Sequence, residues 1–160
     1  MICGELGAGK STILSQAVLE MLDNNTTSLP ILISAKELAE ENDGKTGSVL
    51  QQICNFMQQQ LLVTVSSVGE MLDCVDQCYL FVDGLDEVDK RQQEPLMRVL
   101  EQISLMENRI SIILSTRSTE TIEYHRDNWT QCSLGRLHQQ EILRTVSYTH
   151  LRAHETEADL

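Results

Sequence analysis

Residues Gly4-Glu5-Leu6-Gly7-Ala8-Gly9-Lys10-Ser11-Thr12 bring glycines, one lysine and two hydroxyls into a single short run. That mixture suits one chemistry, the holding of clustered negative charge by backbone. Glycine lets the chain wrap closely and reach positive φ angles. A helix that starts just behind such a loop points its free N–H groups at the charge. Gly4, Gly9, Lys10 and Ser11 fit the spacing G-x-x-x-x-G-K-[S/T]. In that pattern the lysine meets the β- and γ-phosphates of a nucleotide, and the hydroxyl takes a Mg²⁺ position. Gly7 adds a further permissive hinge. A glycine-rich turn before a helix with an exposed lysine would use the same residue types. A strand ahead of the loop and a helix behind it separate the two.

A second set of residues follows an apolar run. Cys78 to Val88 reads as a buried strand that ends in acids. Ligands of open α/β sheets bind beyond the C-terminal ends of the strands. Asp83 comes directly after Tyr79-Leu80-Phe81-Val82, where a carboxylate can hold the Mg²⁺ that bridges nucleotide phosphates. Asp86 and Glu87 lie just beyond, and either is placed to orient or deprotonate an attacking water. An acidic turn capping a helix accounts for Asp86 or Glu87 singly. It does not account for three acids behind a buried strand in a chain that also carries the loop. Arg117 ends another apolar run, Ile110 to Arg117. If that strand neighbours the loop strand, its guanidinium lies beside the γ-phosphate, for charge stabilisation and nucleotide sensing. Ser115 and Thr116 read as groups that satisfy local backbone.

These residues need elements to position them. The patterning predicts a helix from Lys10 to Leu22 with Leu14, Val18, Met21 and Leu22 on one face. Leu29 to Ala35 reads as a buried strand introduced by Pro30. Short helical stretches follow at Lys36 to Asn42 and Val65 to Asp73, the latter with no assigned role. A longer helix is marked by Val49, Ile53 and Met57. Residues 91–107 form an amphipathic helix with Leu96, Leu100 and Ile103 on its stripe. Strands alternating with helices imply parallel pairing and right-handed crossovers, with strands buried on both faces. The expected fold is therefore α/β, a three-layer sandwich around a mostly parallel sheet. Its first strand is short, because only Met1-Ile2-Cys3 precede Gly4 where about five residues are usual. We read this as a boundary that cuts into that strand. The central spatial expectation is that Lys10 and Asp83 meet the same polyphosphate from the tips of neighbouring strands.

Bulk properties narrow the partners. The chain has 160 residues, enough for one domain with a sizeable core. Its net charge of -12 argues against direct nucleic-acid binding. It does not oppose a nucleotide site, which uses backbone dipoles and one local lysine. Cys3, Cys54, Cys74, Cys78 and Cys132 read as buried small apolar side chains in a reducing, cytoplasmic compartment. Cys74 and Cys78 could sit a helical turn apart, but no His or Cys pair completes a zinc site. No apolar run approaches the ~20 residues of a membrane helix, so no membrane partner is expected.

Taken together, the loop, "LPILISAKELAE", "YLFVDGLDEV" and "IILSTRS" resemble the NACHT domain of the STAND class of P-loop NTPases, of NOD-like receptor type. The "DGLDE" form is distinctive, since AAA+ proteins usually place the catalytic acid beside the metal-binding aspartate. Residues 132–146 are similar to the segment where such domains leave the sheet for a helical bundle. The resemblance implies ATP or ADP bound with Mg²⁺ along Gly4 to Thr12. It gives Ser11 and Asp83 to the metal, Asp86 and Glu87 to hydrolysis, and Arg117 to sensing. It also implies a switch between ADP and ATP states, homo-oligomerisation on activation, flanking sensor and effector domains, and signal transduction in innate immunity.

The expected organisation is a core over 1–135, the start of a helical segment over 136–147, and a tail over 148–160. That tail reads either as translated adaptor sequence or as a native polar helix following Glu141 to Val146. Residues that receive the nucleotide base would lie upstream of Met1. The histidine that reads the ADP β-phosphate would lie beyond the C-terminus, with His138, His150 and His154 at the surface. Two other functions fit the same motifs. One is a structural ADP-holding assembly module without significant turnover. The other is an AAA+-like remodelling ATPase taking an arginine, such as Arg126 or Arg136, from the next subunit. A GTPase would carry N-K-x-D and a transporter ATPase an L-S-G-G-Q-like signature, and the chain has neither.

Overall fold

Chain order in the computed structural model is β1 (Ile2–Cys3), α1 (Lys10–Asp23), β2 (Ser28–Ser34), α2 (Ala35–Glu40), α3 (Thr46–Leu61), α4 (Val68–Asp73), β3 (Gln77–Asp83), a 3-10 turn (Leu85–Glu87), α5 (Lys90–Met106), β4 (Ile110–Thr116) and β5 (Cys132–Ser133). The structure describes residues 1–24, 27–40, 46–61, 67–117 and 128–135. The expected segments 136–147 and 148–160 lie outside the described residues, as do Arg126, Arg136, His138, His150 and His154.

The strands form one sheet in the order β2-β3-β4-β1-β5, and every pairing is parallel. Register decides where the ligand end falls. Ser34 of β2 pairs with Asp83 of β3. Val82 of β3 pairs with Leu114 of β4. Ile2 and Cys3 of β1 pair with Ser115 and Thr116 of β4. The short first strand therefore lies against the very end of β4. The loop that follows it springs from the same edge at which β3 and β4 stop.

The two faces of the sheet are covered differently. Side chains alternate across a strand. Ile31 and Ile33 of β2, Leu80 and Val82 of β3, and Leu114 of β4 share one face. They join a core with Leu96, Met97, Leu100 and Ile103 of α5, Leu38 of α2 and Val49 and Ile53 of α3. Phe81 has the opposite parity and is buried outside that cluster, as is Leu14 of α1. Helix α1 packs on β2, β3 and β4. Helices on both faces of a parallel sheet make the expected three-layer α/β sandwich.

Several sequence expectations need correction. The β3 strand stops at Asp83 rather than running on to Val88. Gly84 takes φ +78 and turns the chain into the 3-10 segment. Leu22 does not face the core but is 56% exposed, because it lies about 80° round α1 from Leu14, while its neighbour Met21 is half-buried. Cys74 follows α4 and Cys78 lies in β3, so they are not a helical turn apart. Cys3, Cys54 and Cys78 are buried as expected, but Cys74 and Cys132 are exposed. Cys132 and Ser133 have not left the sheet, because they pair with Ile2 and Cys3 as β5.

Candidate functional site

The loop owes its shape to residues that tolerate left-handed backbone. Gly7 has φ +76 and Gly9 has φ +85, conformations costly for any residue with a Cβ. Gly9 is also the N-cap of α1, and that helix start has no side-chain cap and no acid in its first turn. The first N–H groups of a helix have no partner within it. Here they end at a positive dipole that nothing acidic in that turn offsets, which favours an anion.

Lys10 is almost fully buried, at 9% exposed. Its Nζ donates to the carbonyl oxygens of Gly4 at 2.7 Å and Glu5 at 3.0 Å. The ammonium is thus curled under its own loop, with the backbone satisfying a charge that burial would otherwise penalise. Gly4 and Glu5 serve through these carbonyls and do not line the cavity that follows. Leu6 at the loop tip is 75% exposed.

That cavity measures about 290 Å³. From the loop and α1 it is lined by residues 6–12, which include Lys10, Ser11 and Thr12. From the other side it is lined by Asp83, Gly84, Asp86, Glu87, Ser115 and Arg117. The structure therefore brings together every side chain for which the sequence suggested chemistry at phosphate, metal or water. One expectation about their placement was wrong. Lys10 and Asp83 do not come from neighbouring strands, because β4 lies between β1 and β3. They meet because all three strands end at one level. Arg117, at the end of β4, meets the stated condition, since β4 is the neighbour of β1.

Gly84 explains how acids beyond the strand return to its tip. After the left-handed turn at Gly84, the Glu87 N–H donates to the Gly84 carbonyl at 2.9 Å. A Cβ on Gly84 would come within 3.3 Å of Glu87 Cδ. The Glu87 side chain lies over the space that only glycine leaves open.

Ser115 was underestimated from sequence. It is fully buried, its hydroxyl donates to Asp83 Oδ1, and it accepts from the Gly84 N–H at 2.9 Å. The signal was present in strand alternation, since Ser115 and Arg117 are two residues apart. Asp86 is held by Arg117 through two contacts. Its Oδ1 accepts from the Arg117 N–H at 2.9 Å, and its Oδ2 lies 2.8 Å from Nε. Glu87 Oε1 is 4.0 Å from Arg117 Nη2. Three carboxylates thus face two cations around the cavity.

The donor set fits Mg²⁺ arriving with a polyphosphate. Such an ion needs one or two carboxylates and keeps waters and phosphate oxygens for the rest. Asp83 and the Ser11 hydroxyl border the same cavity. Among the described residues no group of three or more His, Cys, Asp or Glu could cage a metal by itself. Among them, too, no helix is long and apolar enough to cross a membrane.

No protein-family model matches the chain, and no curated protein does. Among solved structures it is similar to AMPPCP-bound DnaA from Aquifex aeolicus, at 17% identity and TM-score 0.45, over 83% of this chain and 39% of that one. It is also similar to Drosophila ORC bound to AT-rich DNA and Cdc6, at 12% identity and TM-score 0.44, over 85% of this chain and 48% of that one. The chain spans less than half the length of either. The strand order and the parallel pairing, not these likenesses, define the fold as a three-layer α/β sandwich.

Proposed function

We propose that the chain is a nucleotide-operated switch of the NACHT type, which binds Mg-ATP or Mg-ADP and hydrolyses ATP slowly to control assembly. One observation carries this reading: Lys10, Ser11, Asp83, Glu87 and Arg117 all border one cavity at the ends of β1, β3 and β4. The loop amides and the start of α1 cradle the phosphates. Lys10 exchanges its carbonyl partners for phosphate oxygens. Ser11 and Asp83 would hold Mg²⁺, whose charge would offset that of the β- and γ-phosphates.

Of the two acids beyond the strand, Glu87 suits the base better. Its side chain is 60% exposed, against 15% for Asp86. It takes a proton as water attacks the γ-phosphorus, the bond to the bridging oxygen breaks, and ADP leaves with the bonding pair. Turning back over Gly84 makes this placement possible without an acid directly beside Asp83. That supports the NACHT form over the AAA+ form. Oligomerisation, flanking sensor and effector domains, a cytoplasmic setting and a place in innate immune signalling belong to the same proposal.

Phosphate release by the full-length protein that carries this chain, measured beside its Glu87→Gln variant, tests the enzyme part. Slow release that falls at least tenfold in the variant is expected. Equal, background-level release would leave the structural ADP-holding module as the better reading.

A further inference from the structure

Asp86 has no role as base in that scheme, yet its carboxylate is held at both ends. Both its oxygens serve one residue: Oδ1 accepts from the Arg117 backbone N–H at 2.9 Å, and Oδ2 meets Nε at 2.8 Å. We infer that Asp86 is a positioning residue that parks Arg117 and thereby sets the preference between nucleoside triphosphate and diphosphate. This rests on the nucleotide reading given above.

The two contacts differ in kind. The backbone N–H lies directly after β4 and moves only with the main chain, so it anchors Asp86. The guanidinium sits on a flexible stem and is 43% exposed, whereas the Asp86 side chain is 15% exposed. The acid is the fixed half of the pair and the cation the movable half. Arg117 lines the same cavity as Lys10 and Ser11. A guanidinium presents a planar fork that fits a carboxylate or a phosphate equally well. Asp86 and a terminal phosphate therefore compete for one cation.

The competition is selective. A diphosphate ends short of Arg117 and leaves the pair intact. A triphosphate recruits Arg117 only by taking it from Asp86. A ligand shifts a conformational equilibrium only through differential affinity for its two states. Parking Arg117 supplies such a difference, because the arginine has one position with the diphosphate and another with the triphosphate.

The test is calorimetric titration of the 160-residue chain with ATP and with ADP, each with Mg²⁺. It compares wild type, Asp86→Asn, Arg117→Ala and the double variant. Asparagine keeps an oxygen for the Arg117 N–H and so preserves the turn, but it loses the charge that holds the guanidinium. Removing a negative charge tightens both nucleotides, so the readout is the ratio of the two dissociation constants. A charge-assisted hydrogen bond is worth enough that Asp86→Asn should move this ratio toward ATP by about tenfold. In the Arg117→Ala background the same substitution should leave the ratio unchanged. A ratio that stays at the wild-type value in Asp86→Asn overturns the inference. So does an equal rise with Arg117 absent. If Asp86→Asn does not fold, Asp86→Glu, which misplaces the carboxylate by one methylene, should give a smaller rise, and no rise overturns the inference. Binding of both nucleotides that depends on Lys10, with an unmoved ratio, removes this inference alone. Failure of wild type to bind either nucleotide removes the nucleotide reading and this inference together.

Discussion

Ser115 of β4 donates its hydroxyl proton to Asp83 at the tip of β3, and accepts the Gly84 N–H at 2.9 Å. One buried hydroxyl thus fixes both the carboxylate proposed to hold the metal and the turn that returns Glu87 to the cavity. Ser115→Ala leaves a donor and an acceptor without this partner. The expected cost is about 1–3 kcal/mol in denaturant unfolding, the penalty for losing a buried hydrogen-bond partner. An unchanged midpoint would show that water replaces the hydroxyl without loss.

Gly84→Ala should be destabilising by more than its helix or strand propensity suggests. A Cβ there is strained at φ +78 and would also press on Glu87 Cδ at 3.3 Å. The left-handed backbone alone costs roughly 1–2 kcal/mol for an ordinary residue. Displacement of Glu87 should also slow any ATP turnover more than it weakens binding. A variant with wild-type stability would mean that the turn relaxes to negative φ at no cost.

Much of the fold was legible in the sequence, for a clear physical reason. β2, β3 and β4 are apolar runs, β3 mostly buried and β2 and β4 only partly so, short of the burial on both faces that was expected, and α5 carries Leu96, Leu100 and Ile103 at helical spacing, all buried. Patterns of that kind report burial directly. β5 was not legible, because a two-residue exposed strand has no apolar pattern to show. It is held by backbone, with Cys132 N–H donating to the Met1 carbonyl at 2.8 Å and Leu134 N–H to that of Cys3 at 2.7 Å. The residues of the site were legible as types at spacings, but their pairing was not. Asp86 and Arg117 are 31 positions apart, and only the adjacency of β3 and β4 brings them together. The exposure of Leu22 was not legible, because it sits at the edge of the apolar stripe of α1, about 80° round the helix from Leu14.

The cysteines give an independent check on the sheet. Cys74 and Cys132 are exposed and should react quickly with a thiol reagent, whereas Cys3, Cys54 and Cys78 should react only on unfolding. Burial pushes the Cys78 thiol up to about 12, from an ordinary value of 9.0. This thiol stays protonated in the fold while its unfolded counterpart ionises. Its contribution to stability is therefore whole below pH about 9 and is lost as the pH rises toward 12, at about 1.4 kcal/mol per pH unit. Cys78→Ala should flatten that part of the stability profile. Fast labelling of Cys78 in the native protein would contradict its place in the sheet.

Core packing makes a further prediction. Leu100 of α5 is fully buried against the sheet, so Leu100→Ala should cost about 2–5 kcal/mol through lost burial and the cavity left behind. Thermal or denaturant unfolding measures it. A loss below about 0.5 kcal/mol, the range of ordinary surface substitutions, would mean that α5 does not cover that face.

The most direct measurement is Mg²⁺-dependent ATP binding by the 160-residue chain, compared among wild type, Lys10→Ala and Asp83→Asn, with thermal unfolding as the control for folding. Wild type should bind more tightly with Mg²⁺ than without it. Lys10→Ala should lose at least about tenfold in affinity, or 1.4 kcal/mol, and Asp83→Asn should lose the dependence on Mg²⁺. A folded Lys10→Ala variant that binds ATP as wild type does would contradict the convergence of Lys10 and Asp83 on one polyphosphate.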